Sequence, residues 1–149
     1  MATVRTIRAD ELDELLTLYR MLNPDGLELA PDEVQDQWQA MVDDDSLEIA
    51  VVEHDERLVA SCMLSVTESL TRGARPFALV ENAVTHEDHR QNGFGKLCVR
   101  AAIDVAEREN YYKVMLMTGS DREWKREFYE RCDFDSEEKT GVVCGLRDD

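Results

Sequence analysis

Residues 90–95, "RQNGFG", carry two glycines, Gly93 and Gly95, directly before a predicted helix. Glycine weakens a helix, and helix starts favour Ser, Thr, Asp or Asn, so a glycine pair at this point needs a reason. A glycine turn leaves backbone N–H groups free at the positive end of the helix dipole, where they bind phosphate or pyrophosphate. The spacing therefore predicts a phosphate-binding loop, and a tight turn without a ligand is the alternative.

A second candidate for chemistry is Glu81, which is the only charged residue between Pro76 and His86. It lies in the apolar stretch "FALVENAVT", whose composition predicts a strand. Burying a carboxylate costs free energy unless the group has a partner. The position therefore indicates a functional acid or base, and an edge residue or a structural ion pair is the alternative.

The spacing of apolar residues predicts the elements that must position these groups. A short strand at residues 4–8 precedes two helices, the first capped by Asp10 and the second starting at Pro31. The apolar positions of the two helices are Leu12, Leu15, Leu16, Tyr19 and Leu22, and then Val34, Trp38, Met41 and Val42. Two strands at residues 47–55 and 57–66 form a predicted hairpin, which turns at residues 54–56.

The second half alternates between strands and helices. After the strand at residues 77–85 and the glycine turn, a helix at residues 94–110 is predicted to bury Phe94, Leu97, Cys98, Ala101 and Val105. "YYKVMLMT" predicts a strand buried on both faces, followed by a helix at residues 121–132 and a terminal strand at residues 140–146. This order predicts one α/β (α+β) domain over residues 1–149, with a mostly antiparallel first half and one βαβ unit.

The composition argues against several classes of function. A net charge of -16 disfavours nucleic-acid and anionic-membrane partners, which require a positive surface. No apolar run is long enough to span a bilayer, and the first residues lack the apolar core of a signal peptide, so we expect a soluble cytoplasmic protein. The acidic surface fits either a halophilic, high-salt host or an ordinary solvated surface.

Cysteine and histidine usage predicts neither disulfides nor a metal site. The cysteines, Cys62, Cys98, Cys132 and Cys144, are scattered, so we expect small core residues in a reducing compartment. His86 and His89 share one turn without convergent partners, and we expect no metal there. Trp38 and Trp124 stand at helical spacing, which predicts core positions for both.

Two segments resemble the GNAT family of N-acetyltransferases. "RQNGFG" matches the family's pyrophosphate loop, Arg/Gln-x-x-Gly-x-Gly/Ala, and "FYERCDF" is similar to its later "FYEKxGF" segment, with Asp133 in place of the glycine. Two rival patterns fit less well: a P-loop requires Ser or Thr where Leu97 stands, and a dinucleotide fingerprint requires a third glycine where Cys98 stands. The order of elements also resembles that of the family, so the similarity covers essentially the full chain.

The resemblance implies a GNAT fold, with a central mixed, mostly antiparallel sheet flanked by helices, and acetyl-CoA as cosubstrate. The loop residues implied to hold the pyrophosphate are Arg90, Gln91, Asn92, Gly93, Phe94, Gly95 and Lys96, and Ala83, Val84 and Thr85 would lie beside the pantetheine arm. The implied catalytic pair is Glu81 as general base and Tyr129 as general acid.

The resemblance is nearest to the glucosamine-6-phosphate N-acetyltransferases, in which an aspartate stands at the position of Asn82. It implies acetylation of a primary amine, on a small molecule or a peptide, in a pocket built from residues 21–31 and 70–76. A non-catalytic CoA-binding sensor is the alternative, and it would have no need of Glu81 and Tyr129. Dimers are common among such proteins, so a homodimer is an open expectation.

Overall fold

The structure is a computed structural model that describes residues 1–26, 30–118 and 123–146. The strands are β1 (Ala2–Thr6), β2 (Leu47–His54), β3 (Arg57–Thr67), β4 (Phe77–Thr85) and β5 (Val114–Leu116). The helices are α1 (Leu12–Leu22), α2 (Pro31–Val42), α3 (Phe94–Arg108) and α4 (Glu123–Glu130), with short 3₁₀ turns at Ala9–Glu11 and Glu87–His89. The predicted α/β class and the order of elements up to α4 are confirmed.

The five strands form one sheet in the order β1-β2-β3-β4-β5. The first four pair antiparallel, and β5 pairs parallel to β4 after the α3 crossover. Asp55 and Glu56 turn the predicted β2–β3 hairpin with φ of 51° and 65°, as a two-residue turn between twisted strands requires. The mixed, mostly antiparallel sheet and its single βαβ unit are therefore as predicted.

Helices cover both faces of the sheet, and each face has its own apolar cluster. Against α1 and α2 the buried residues are Leu15, Leu18, Trp38, Ile49, Val51, Leu58 and Val84. Against α3 the sheet buries Val52, Ala60, Cys62, Leu64, Ala78 and Val80, which meet Phe94, Cys98 and Ala102 of that helix. No helix among the described residues is long and apolar enough to cross a membrane.

Several helix predictions are wrong in detail. Asp10 does not cap α1, because a 3₁₀ turn precedes the helix and Glu11 takes the cap position without a side-chain bond. Leu97 is 44% exposed, since the buried stripe of α3 follows the smaller Cys98, Ala102 and Ala106 instead. Leu22 and Val42 are also exposed, because each ends its helix.

The predictions fail most clearly after α3. The strand β5 spans three half-buried residues and is the edge of the sheet, so it is not buried on both faces. Residues 140–146 form no strand, and Val142 and Val143 are 88% and 79% exposed, because β propensity without a neighbouring strand gains no ladder. Trp124 and Cys144 are exposed as well, whereas Trp38 and the other three cysteines are buried as predicted. Residues 121 and 122 of the predicted last helix lie outside the described residues.

Candidate functional site

The strand β4 contains a bulge directly after Glu81. Met63 of β3 pairs with Glu81 and Ser61 pairs with Val84, so Asn82 and Ala83 together face the single residue Cys62. Asn82 takes a left-handed φ of 53°, a conformation that asparagine tolerates better than most residues. The bulge bends β4 between its first half and the glycine turn.

The bulge coincides with the point where β4 and β5 stop pairing. Their parallel ladder covers only Ala78–Val80 of β4 against Val114–Leu116 of β5. Beyond Val80, the β4 edge that faces away from β3 has no partner strand among the described residues. This free edge runs past Ala83, Val84 and Thr85, and an extended ligand can add to it by backbone hydrogen bonds. Val84 itself is buried, so only its backbone is available there.

The glycine turn follows β4 and leaves the start of α3 uncapped. Gly93 is the N-cap residue, with a left-handed φ of 80°, and no side chain bonds to the helix start. No described group accepts a hydrogen bond from the backbone N–H of Phe94, Gly95 or Lys96. A Cβ built at Gly93 meets no atom within 4 Å, so the space beside the residue that precedes these donors is open. The geometry suits an anion at the helix start.

The rest of the loop is held in place by its own contacts. The Asn92 amide donates to the carbonyl oxygens of His89 and Arg90 at 3.0 and 3.3 Å, and Gln91 has a left-handed φ of 65°. Phe94 is buried with its ring centre 5.0 Å from that of His54, which anchors the first turn of α3 to the sheet. These contacts therefore fix the conformation of the loop.

Gly95 packs closely against neighbouring side chains, which the sequence alone does not show. A Cβ at Gly95 would lie 2.9 Å from Thr85 Oγ1 and 3.3 Å from Phe128 Cζ. Real Cβ contacts are almost never as short as 2.9 Å, so a larger residue at position 95 would displace the Thr85 side chain or part of its surroundings. Gly93 and Gly95 thus serve different ends: an open space and a close packing contact.

The structure brings Glu81 and Tyr129 to the same region. Burial raises the pKa of the Tyr129 hydroxyl, and the neighbouring Cys62, Cys132 and Glu81 raise it further. Tyr129 therefore keeps its proton at neutral pH. Glu81 is half-buried, and no described Lys, Arg or His forms an ion pair with it, so the ion-pair alternative finds no support among the described residues.

Tyr19 of α1 is a candidate that sequence reasoning placed only in the core. Its hydroxyl is buried without a hydrogen-bond partner among the described residues, and burial raises its pKa to about 12. The side chain of Asn82 lies close enough to lower that pKa, but its geometry falls short of a hydrogen bond. In the sequence, Tyr19 looks like any other residue of the apolar face of α1. Its position beside Asn82 could not be predicted, because it depends on the bulge in β4.

Other predicted features lie apart from this region. Cavities of about 260 and 360 Å³ are lined neither by Glu81 and Tyr129 nor by the glycine turn. Of the predicted acceptor segments, residues 27–29 lie outside the described residues, and Thr71 and Arg72 of residues 70–76 line the larger cavity. Within the described ranges, no three His, Cys, Asp or Glu residues converge on a point that could hold a metal ion.

The fold and the site define a class: an α/β protein with one βαβ unit, in which a glycine turn and an uncapped helix start connect β4 to α3. A sequence model of the Acetyltransferase (GNAT) family matches residues 12–134. The chain belongs to this family, and it is therefore an acetyl-CoA-dependent N-acetyltransferase. The resemblance noted in the sequence, and the fold that it implied, are both confirmed.

Comparison with solved structures gives the same fold. A structure named as an acetyltransferase, from Agrobacterium tumefaciens str. C58, is 39% identical with a TM-score of 0.92, over 97% of this chain and 99% of that one. Glucosamine-6-phosphate N-acetyltransferase from Arabidopsis thaliana is 18% identical, with a TM-score of 0.86 over 99% of both chains. AAC(6′)-Iy in complex with a bisubstrate analogue, CoA-S-monomethyl-acetylneamine, is 14% identical, with a TM-score of 0.80 over 99% of both chains. No curated protein matches the chain closely enough to count as a relative.

Proposed function

We propose that this chain transfers the acetyl group of acetyl-CoA directly to a primary amine, with Glu81 as general base and Tyr129 as general acid. The observation that carries the proposal is that Glu81 lies directly before the bulge, where β4 leaves β5, and that its charge is near enough to Tyr129 to help raise the pKa of that phenol. A sensor that only binds CoA has no use for a half-buried carboxylate and a protonated phenol at that point. Family membership and the geometry thus favour turnover over sensing.

The residues present fit the cosubstrate. The unpaired N–H groups of Phe94, Gly95 and Lys96, with the open space at Gly93, suit the pyrophosphate. The free edge of β4 beyond Glu81 suits the pantetheine arm, whose amides can bond to backbone as an added strand does. Acetyl-CoA supplies an activated thioester, and the chain supplies its placement.

The chemistry assigned to the chain is proton transfer. An amine with a pKa of about 10.4 is almost fully protonated at neutral pH and must lose a proton before it can attack. Glu81 takes that proton, directly or through water, and the neutral amine nitrogen then bonds to the acetyl carbon. The carbon–sulfur bond then breaks, and Tyr129 gives its proton to the departing thiolate. The second proton, which the nitrogen loses as the amide forms, returns to the Tyr129 oxygen. The products are an N-acetyl amide and free CoA.

The amine that accepts the acetyl group is to be identified by a screen. Two structures of this fold carry names that refer to glucosamine 6-phosphate and to acetylneamine, but their identity to this chain is 18% and 14%. We therefore propose a screen of amino sugars, aminoglycosides, polyamines and peptide N-termini, followed by release of free thiol from acetyl-CoA. Thiol release that depends on one amine class identifies the acceptor.

The catalytic assignment is tested with Glu81→Gln and a control of the same chemistry. Glu81→Gln should lower kcat by about 100-fold or more, because it removes the base and keeps the size of the side chain. Glu87→Gln changes an exposed carboxylate just after β4 and should leave kcat unchanged. A wild-type rate for Glu81→Gln across the pH range would assign Glu81 to structure instead.

The cosubstrate site is tested with two glycines that share one backbone conformation. Gly93 and Gly73 have φ of 80° and 75°, and neither would place a Cβ within 4 Å of another atom. Asparagine tolerates such a φ, so Gly93→Asn and Gly73→Asn should be strained to a similar extent. Only Gly93→Asn fills the space before the α3 donors, so it alone should weaken CoA binding. Equal CoA affinity in the two folded variants would contradict the loop assignment.

A further inference from the structure

A basic pocket lies at the opposite end of β4 from the glycine turn. The cavity of about 360 Å³ is lined by Thr71, Arg72, Tyr112, Lys113, Glu138 and Lys139, and this set is called the basic pocket below. Tyr112 and Lys113 lead into β5, and Thr71 and Arg72 belong to the turn before β4. The pocket therefore opens where the paired ends of β4 and β5 begin.

The charge of the pocket runs against that of the whole chain. The chain has 17 basic and 33 acidic residues, yet three basic residues and one acidic residue line the pocket. Arg72, Lys113 and Lys139 form no ion pair with any described carboxylate. The ammonium group of Lys113 lies over the Phe77 and Tyr112 rings, 5.2 and 5.3 Å from their centres. Within the described ranges, the pocket thus gathers cations that have no carboxylate partner.

The turn before β4 is built to hold this arrangement. Arg72, Gly73 and Ala74 all have left-handed φ values, of 52°, 75° and 58°. The turn is closed by a bond from Ala74 N to Thr71 O at 3.0 Å and by one from Arg75 Nε to Arg72 O at 2.9 Å. Non-glycine residues in such conformations cost free energy and cluster where function requires them.

The Tyr112 hydroxyl lies near both a hydroxyl and a cation of the pocket. The pKa of Tyr112 is held below its usual value, first by the Thr71 hydroxyl and also by the Lys113 charge. Thr71 in turn shares a hydrogen bond of 2.9 Å with Ser69. Neutral donors and cations therefore converge on one space, which is the combination that binds an oxyanion.

The pocket lies on the same face of the sheet as Glu81. Ala78 and Val80 pack towards α3, so the alternating side chains of Phe77, Leu79 and Glu81 point to the other face. Lys113 shares that face, because its ammonium group covers the Phe77 ring. Phe77 and Glu81 are four strand positions apart, and at about 3.3 Å per position the end of β4 that Lys113 covers lies about 13 Å along the strand from Glu81.

We propose that the basic pocket is an anion subsite for the acceptor, which takes a phosphate or carboxylate group held about 13 Å from the amine at Glu81. This inference rests on the proposed function, because Glu81 marks the position of the amine. An acceptor that fills both positions is extended and acidic at its far end. A small amino sugar phosphate is too short to reach from one position to the other.

Anion binding is tested without any enzymatic readout. The full chain is titrated with inorganic phosphate and followed by backbone amide NMR shifts, which separate the pocket from the glycine turn. We expect saturable shifts at residues 71–73 and 112–113. Lys113→Gln/Lys139→Gln removes two charged hydrogen bonds and should weaken binding at least about tenfold. Arg108→Gln removes a charge at the end of α3, on the other face of the sheet, and should change nothing. If the shifts do not saturate with phosphate, or if the Lys113→Gln/Lys139→Gln and Arg108→Gln variants lose the same amount of phosphate affinity, the proposed subsite is wrong.

Whether the pocket binds the acceptor is tested with pentapeptides, in which the distance between the N-terminal amine and an anionic side chain is known. An extended peptide advances about 3.3 to 3.6 Å per residue, so the side chain of residue five can reach the pocket when the N-terminal amine is at Glu81. Phosphoserine or aspartate at residue five should raise kcat/KM about tenfold over serine or asparagine. The preference should vanish in Lys113→Gln/Lys139→Gln and persist in Arg108→Gln.

The two peptide series also identify the anion. A preference for phosphoserine over aspartate assigns phosphate, and equal preference assigns any oxyanion. Equal rates for charged and neutral peptides would overturn the role of the pocket in binding the acceptor. A higher rate for peptides that carry the anion at residue two instead of residue five would overturn it as well. If no amine of any kind is acetylated while phosphate still binds at the pocket, the failure lies with the proposed function and not with the anion site.

Discussion

Replacing Gly95 with alanine tests how closely α3 approaches its neighbours. The new Cβ would lie 2.9 Å from Thr85 Oγ1 and 3.3 Å from Phe128 Cζ, so these side chains or the backbone that carries them must shift. Overpacking of this kind costs about 1–3 kcal/mol, and alanine returns at most about 1 kcal/mol in helix propensity. The expected net loss is about 1–2 kcal/mol, which lowers Tm by roughly 2–8 °C for a chain of this size.

The assay is thermal and urea unfolding of four proteins: wild type, Gly95→Ala, Thr85→Ala and the double variant. Thr85→Ala removes the oxygen that the new Cβ meets, so the double variant should recover part of the loss, and a double-mutant cycle measures that coupling. Gly145→Ala is the control, because a Cβ there meets nothing within 4 Å. If Gly95→Ala is as stable as wild type, or if Thr85→Ala gives no relief, the packing argument is wrong.

The same variants separate packing from ligand binding. Gly95 was predicted as a place where the cosubstrate needs bare backbone, and the structure adds a second requirement at the same atom. CoA affinity in the folded double variant shows whether a methyl group at residue 95 also hinders the ligand.

Three further predictions concern catalysis, pH and salt. Tyr129→Phe should lower kcat by about 10 to 1000-fold with little change in Tm, and lost stability with full turnover would make the hydroxyl structural. Glu11 is buried and accepts hydrogen bonds from Arg5 at 2.8 and 2.7 Å, which hold its pKa below its usual range. The stability that this carboxylate gives the folded state is thus complete above the unfolded pKa of about 4.3, and it is lost as pH falls through the lower folded pKa. The stabilities of wild type and Glu11→Gln, measured as a function of pH, should therefore converge at low pH. If the acidic surface is a salt adaptation, Tm should rise from low to molar KCl, and a flat curve would favour ordinary solvation.

Sequence reasoning succeeded where short-range patterns decide the structure. The β2–β3 hairpin, the strand Phe77–Thr85 and the Pro31 helix start follow from alternation, turn residues and fixed φ, and all three agree with the structure. Asp133 takes the left-handed φ of 73° expected for a residue that replaces a glycine. Its carboxylate also reaches Arg100 Nη1 at 2.9 Å, which ties the end of α4 to α3 and has no local signal.

The errors arise where a third element decides the outcome. Val142 and Val143 have high β propensity, but the described residues offer them no strand to pair with. Trp124 has helical spacing, yet no layer covers that side of α4, and its ring is 59% exposed. In the site, the sequence of β4 shows Glu81 and Asn82 but does not predict the bulge, because the bulge depends on the pairing of β4 with β3. The role of Gly95 and the position of Tyr19 depend on the same long-range contacts.

The bulge also bears on how such a strand could arise. Ala78 and Val80 face α3 before it, whereas Ala83 faces α3 and Val84 faces α1 after it. If Asn82 were deleted, every other residue of β4 would keep its face, and the strand would alternate without interruption. The core therefore has no need of Asn82. A single inserted codon is thus compatible with both apolar layers, and it falls just beyond the point where β4 and β5 stop pairing. Such a step costs some sheet stability but requires no repacking of either apolar layer.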